Sequence, residues 1–258
     1  MPVGTVLRLT ASAAMLVLLL PRIHLESFIP KSHLSTTISY MVAGLLVTFA
    51  GFVLSAWRWQ RVLTALEAPA RLPDLVGHYM AGQFVGNFLP TTIGGDLLRI
   101  SRVTKATGSS ETSFASVVLE RLTGWLVLPL LVIAGLVFHP SLLSLGNSSR
   151  IALLLSLGTL ALLGAVLVMA ANEKLAGRFA QNDGWTRFIG AVHLGVDRLR
   201  RDPRTALSVI GAATVYQLSG VLTVYLATLA LDLEVPLSAV LAFAPAVAIA
   251  QVLPVSLN

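Results

Sequence analysis

The 258-residue sequence is 55 % apolar and only 12 % charged, against roughly 25 % charged residues in an ordinary soluble domain, which excludes a soluble globular fold. Its formal charge of +6 comes from basic residues grouped in short blocks between apolar runs, without interleaved aromatics, so the charge points to membrane topology and lipid contact and not to nucleic acid. With no cysteine and five scattered histidines that form no metal-ligand pattern, the chain offers no disulfide framework, no thiol nucleophile and no metal site, and no cofactor is expected.

A helix that crosses lipid needs about 20 mostly apolar residues. On that criterion the sequence predicts an all-α, polytopic membrane bundle, a single transmembrane domain over residues 1–258. Six spans are expected, at Thr5 to Leu20, Thr36 to Ala56, Phe114 to Phe138, Ile151 to Ala171, Thr205 to Leu231 and Leu237 to Leu253. Only Arg8 precedes the core of the first run and no small-residue cleavage site follows Leu20, so it reads as a retained span and not a signal peptide. Leu75 to Pro90 is different: it is short and contains His78, Gly82, Gln83, Gly86 and Asn87. Such a segment belongs in a re-entrant or protein-buried half-helix, because unpaired backbone is tolerated at depth only where protein or water surrounds it.

Basic residues mark the cytoplasmic loops of a membrane protein. Arg58, Arg61 and Arg71 flank the second predicted span, Arg99, Arg102 and Lys105 follow the broken segment, and Lys174 to Arg204 crowd the loop over residues 172–204. The loops His139 to Ser149 and Asp232 to Pro236 contain no Lys or Arg. The pattern predicts a cytoplasmic N-terminus, with Arg22 and Lys31 as its outlying charges, and a hairpin that enters and leaves on the cytoplasmic face. Within the basic loop, Trp185 to Leu199 has an amphipathic pattern that predicts a helix lying on the anionic membrane surface.

The break itself reads Asn87-Phe-Leu-Pro-Thr-Thr-Ile-Gly-Gly-Asp-Leu-Leu-Arg99. Pro90 lacks an amide donor and Gly94-Gly95 permit positive φ, so a turn is expected there with a helix restarting near Asp96. Freed amides and the polar side chains of Asn87, Thr91 and Thr92 then become candidates for a head group. A second break starts at about residue 251 and contains Leu253, Pro254 and Ser256. Three predicted spans lie between the first break and the segment Leu237 to Leu253 that leads into the second, so the two breaks approach from opposite leaflets, as in an inverted-repeat transporter. The chain stops at Asn258 directly after an apolar span, which predicts a missing C-terminal portion.

Asp96 and Arg99 stand three apart and can pair on one helix face. Glu120-Arg121 lies about seven residues, roughly 10 Å, inside the third predicted span. A charge in lipid costs about 2.5–3.5 kcal/mol on insertion scales. Adjacent helix positions point about 100° apart, so each of these two charges needs a partner elsewhere, and Arg99 and Asp96 are candidates. The bland alternatives are that Asp96 caps its helix and Arg121 snorkels to the interface. Tyr216, Gln217, Gln251, Ser256 and Asn258 read as cavity-lining or interhelical polar groups, and Trp57, Trp59 and Trp125 as interfacial or packing aromatics.

The run Leu89 to Arg99, followed by Val118-Leu-Glu-Arg-Leu-Thr-Gly124, resembles the lysylphosphatidylglycerol synthase transmembrane region family, flippase-like proteins that include the flippase domain of the multiple peptide resistance factor. The family's Pro, Gly-Gly, Arg and Glu-Arg-x-x-Gly pattern falls on Pro90, Gly94, Gly95, Arg99, Glu120, Arg121 and Gly124. Its later Leu-Pro-x-Ser falls on Leu253, Pro254 and Ser256, and the sequence ends before the Gly-x-Gly-x-Arg-Glu that follows in the family. No aminoacyltransferase domain is present in these 258 residues, so the resemblance implies translocation and not lysyl transfer. It implies a multi-pass protein of the inner, cytoplasmic membrane that moves an anionic, aminoacylated or glycosylated lipid, with lipid-synthesis enzymes as partners and no catalytic residue. Two other readings stay open: a membrane enzyme with Asp96 or Glu120 as general base and Arg99 or Arg121 as anion clamps, and a non-catalytic partner in glycolipid synthesis.

Overall fold

The computed structural model describes residues 34–88, 93–172 and 185–252. The predicted first span, Thr5 to Leu20, and the break residues Pro90, Thr91, Thr92, Leu253, Pro254 and Ser256 lie outside these. The described residues form helices α1 (Leu34–Ala65), α2 (Leu72–Phe88), α3 (Ile93–Thr107) and α4 (Ser110–Phe138), a 3₁₀ turn (Pro140–Leu145), then α5 (Asn147–Ala171), α6 (Trp185–Arg201), α7 (Pro203–Ala230) and α8 (Leu237–Val252). The fold is an all-α polytopic bundle, in which α1, α4, α5 and α7 are long and apolar enough to cross a membrane and α8 is a shorter apolar helix.

Sequence punctuation sets the boundaries. Ser109 caps α4 by accepting from the Thr112 amide at 3.2 Å, directly after a turn at Gly108 with φ of 74°. Asp202 caps α7 in the same way through Thr205, with Pro203 occupying the first helical position.

Helix α1 is the main departure from the expected spans. It runs to Ala65 and not Ala56, and its 32 residues at 1.5 Å per residue are about 48 Å long. One side of its first half, including Leu45, Leu46 and Phe49, is exposed as a lipid-facing surface requires. Its second half is buried against α2, α4 and α7. The α4–α8 interface is close because Gly135 has no side chain: a Cβ there would stand 2.8 Å from the Ala242 amide nitrogen.

Helices α2 and α3 form the expected hairpin. Leu75 near the start of α2 and Val103 near the end of α3 pack in one cluster with Leu63 and Val117, so both outer ends of the hairpin lie at the same end of the bundle. Val62, Leu66, Ala115, Leu119 and Val209 close that end, and Arg61, Arg71, Arg102 and Lys105 border it. Leu136, Leu142 and Ala152 pack at the other end, with Ala242 and Ile249 of α8.

The expected amphipathic helix is present and is also covered by protein. Helix α6 packs part of its apolar face on the bundle: Val192 is fully buried with Val118 of α4 and Ala170 of α5, and the His193 ring contacts the Ala170 carbonyl at 2.5 Å. A neighbouring protein groove hides the same apolar stripe that a bilayer surface would, and the moment alone does not distinguish them.

Candidate functional site

On α1, Ser55, Arg58, Trp59 and Val62 recur at the spacing of one helix face, and each is at most 2 % exposed. On α4, Ser113, Ser116, Glu120 and Gly124 form the facing polar strip, with Glu120 3 % exposed. Glu120 is the hub. Its Oε1 accepts from Ser55 Oγ at 3.0 Å and from Arg58 Nη2, and its Oε2 accepts from Arg99 Nη1 and Nη2 at 3.1 and 3.2 Å. Ten residues from the start of α4, this carboxylate lies about 15 Å along the helix.

The arginines are held by more than charge. The Arg99 guanidinium lies between two rings, 4.2 Å from the Trp59 centroid and 4.7 Å from that of Tyr79, while Arg58 lies 5.4 Å from the Tyr216 ring. Trp59 Nε1 donates to Ser116 Oγ at 3.0 Å, Tyr79 donates to the Tyr216 hydroxyl at 3.4 Å, and Gln217 donates to the Gly124 carbonyl at 3.1 Å. Each buried donor that fixes an aromatic wall is thereby satisfied.

A second, shallower ion pair sits beside the hub. Arg121 Nη2 donates to Asp96 Oδ1 at 2.9 Å, its Nε contacts Asp96 Oδ2, and Asp96 also lies 3.5 Å from Arg99. The Arg121 side chain is 32 % exposed. The two pairs bound a polar cavity of about 220 Å³ lined by Gly82, Gln83, Gly86, Gly95, Asp96, Arg99 and Arg121.

Glycine builds this cavity by close approach. A Cβ on Gly95 would stand 2.3 Å from the Gly82 carbonyl oxygen, and one on Gly82 would stand 2.8 Å from Arg99 Cγ. The positive φ expected of Gly94 and Gly95 is not what they supply here. Both lie in the first turn of α3, which starts at Ile93, and the positive-φ glycines among the described residues are Gly108 and Gly146. The missing side chain at Gly95 serves helix contact.

The fold therefore gathers Asp96, Arg99, Glu120 and Arg121 into one cluster. Asn87 falls in the last turn of α2, and Thr91, Thr92 and Pro90 follow outside the described residues. Arg58, expected to flank a span as a topology charge, instead points into the bundle, because α1 continues past it. The Ser55, Arg58, Trp59, Val62 spacing was the signal that places it on a buried face. Among the described residues, three guanidinium groups face two carboxylates, a net charge of +1, and Arg58 Nε and Nη1 and Arg99 Nε have no hydrogen-bond partner.

The sequence matches the family described as Lysylphosphatidylglycerol synthase TM region over residues 5–257. The chain belongs to this family. No curated protein and no solved structure matches it. The two stretches on which the resemblance rests lie on successive helices, and Gly95, Arg99, Glu120 and Arg121 from them meet at the cluster. Gly124 joins them from one turn further along α4, where a Cβ would lie 3.5 Å from Arg58 Nη1.

Proposed function

We propose that this protein translocates an anionic lipid or lipid-linked precursor between leaflets of the cytoplasmic membrane, with the basic end of the bundle on the cytoplasmic side. The observation that carries this reading is the cationic excess of the cluster beside a polar cavity reached through the partly exposed Asp96–Arg121 pair. Buried charge in a membrane bundle is costly and by default marks a functional path. At about 220 Å³ the cavity is smaller than the roughly 300–1,000 Å³ of sites that enclose a whole drug-sized ligand, so it accommodates a head group while the acyl chains stay in the bilayer.

In this reading Arg121 meets the phosphate first, because it is the most exposed of the three arginines. Its planar fork matches a phosphate as well as it matches Asp96, so the ligand replaces Asp96 on Arg121 and Asp96 keeps Arg99 at 3.5 Å. Glu120 serves as the internal counter-ion that keeps Arg58 and Arg99 paired when no head group is present. Gln83, on the cavity wall, supplies a neutral amide to the rest of the head group.

Reconstitution in liposomes tests the proposal, with leaflet exchange of fluorescent anionic, aminoacylated and glycosylated lipids followed by a membrane-impermeant quencher. Exchange is expected for wild type and is lost in Glu120→Gln and Arg121→Ala. Exchange no faster than in empty liposomes for all three lipid classes, or exchange indifferent to both substitutions, overturns it. Appearance of a mass-shifted lipid that needs Glu120 would favour a membrane enzyme instead.

A further inference from the structure

Helix α4 has a second functional-looking face. Leu119 and Leu126 stand about 160° and 140° around the helix from Arg121, taking about 100° per residue, so they face away from the polar cavity. Together with α5, α6 and α7 they border an apolar cavity of about 510 Å³, walled by Leu122 and Leu126 of α4, Leu163 and Val166 of α5, and Leu207 and Ile210 of α7. At its mouth, where α6 ends and α7 begins, lies Arg200.

The charge at that mouth is unbalanced. Arg198 pairs with Glu67 and Arg201 with Asp197, but Arg200 has no carboxylate within ion-pair distance among the described residues. The nearest acid in sequence, Asp202, is engaged by the Thr205 amide and hydroxyl as the cap of α7. Leu207 is 73 % exposed, so the groove is open at its side as well as at its basic end. An apolar slot open to the bilayer with a cation at its interfacial end complements one molecule: a chain with a negative charge at its head.

We propose that this groove is a resident site for one acyl chain of an anionic phospholipid, with the lipid phosphate on Arg200. The site is separate from the path assigned to the charge cluster and stands whether or not that cluster carries a substrate. A lipid seated there ties α6 to the α4, α5 and α7 bundle at the level of the membrane interface.

Photocrosslinking tests it. The protein is reconstituted in phosphatidylcholine vesicles containing trace phosphatidylglycerol or phosphatidylcholine with a diazirine in one acyl chain, and labelled peptides are mapped by mass spectrometry. The phosphatidylglycerol probe is expected to label Leu163 and Leu207 above the exposed face of α1 at Leu45 and Leu46. Leu207→Trp fills the groove from an exposed position and removes that labelling while the α1 labelling, which reports the intact fold, persists. Arg200→Gln reduces the preference for phosphatidylglycerol over phosphatidylcholine about fivefold, the loss of one basic residue near an anionic surface. Equal labelling of the groove and the α1 face, equal labelling by the two probes in wild type, or groove labelling that survives Leu207→Trp refutes the site.

Discussion

Glu120→Gln isolates what the central carboxylate does. The substitution keeps the size of the side chain and one acceptor oxygen, and it removes the charge and turns the other oxygen into an NH2 donor. Arg58 and Arg99 remain 2 % and 4 % exposed, and Asp96, at 3.5 Å from Arg99, already serves Arg121. Arg99 is left with one peripheral carboxylate that already serves Arg121, and Arg58 with none among the described residues. Removing one partner of a buried ion pair typically costs about 3–5 kcal/mol. Glu120→Gln is therefore expected to destabilise by an amount in that range, read as the shift in equilibrium unfolding of the purified protein in mixed micelles titrated with sodium dodecyl sulfate. Adding Arg58→Met to Glu120→Gln should recover about 1–3 kcal/mol, because one of the two orphaned charges is then gone and neighbouring residues couple on that scale. A Glu120→Gln protein within about 1 kcal/mol of wild type, or an Arg58→Met change that simply adds its own loss, would sink the account of Glu120 as the shared counter-ion.

Three further outcomes follow from the same contacts. Gly95→Ala forces a Cβ against the Gly82 carbonyl oxygen at 2.3 Å and should cost about 1–3 kcal/mol with disruption of the hairpin, whereas Gly77→Ala, with open space around it, should be neutral or slightly stabilising in the same titration. Glu67→Gln removes the pair with Arg198, whose side chains are 71 % and 35 % exposed, and should change stability by less than about 1 kcal/mol. The triple change Arg58→Met, Arg99→Met, Glu120→Met replaces the hub by apolar volume; unfolding should be neutral to a few kcal/mol more stable, with leaflet exchange abolished.

The sequence made the hairpin and most of the cluster legible, and it did so through misfits. Leu75 to Pro90 was too short and polar for a span, and Glu120-Arg121 was too charged for the middle of one, so both demanded partners. The pairing of Arg121 with Asp96 and of Glu120 with Arg99 follows from there being few places for such charges to go. Arg58 was hidden because a hydropathy window averages over both faces of a helix. The apolar mean falls after Ala56, where Arg58, Gln60 and Arg61 follow, although the buried face continues through Trp59, Val62 and Leu63. The same blindness hid the partner of α6, since an amphipathic stripe specifies that it must be covered and leaves open by what.

The separation of roles along α4 explains how one helix serves both stability and charge. Its apolar face packs Val118 with Val192 of α6, and near its far end it joins Val132 and Leu136 to α8. These contacts involve no charge and fix the helix in place. Glu120 and Arg121 then sit on a helix whose packing against α6 and α8 is made by other residues, so those contacts can persist when the charged groups change partners. Arg58 comes from α1, Arg99 and Asp96 from the hairpin, and Arg121 from α4, so any exchange of partners at Glu120 or Asp96 is also a change in the force holding the hairpin to the spans. The hairpin is joined to α4 mainly through these pairs and through the Val103 and Val117 cluster at its outer end. In the proposed transport reading, a head group that takes Arg121 from Asp96 removes one of these ties and leaves the Arg99–Glu120 pair and the apolar cluster at the outer end in place.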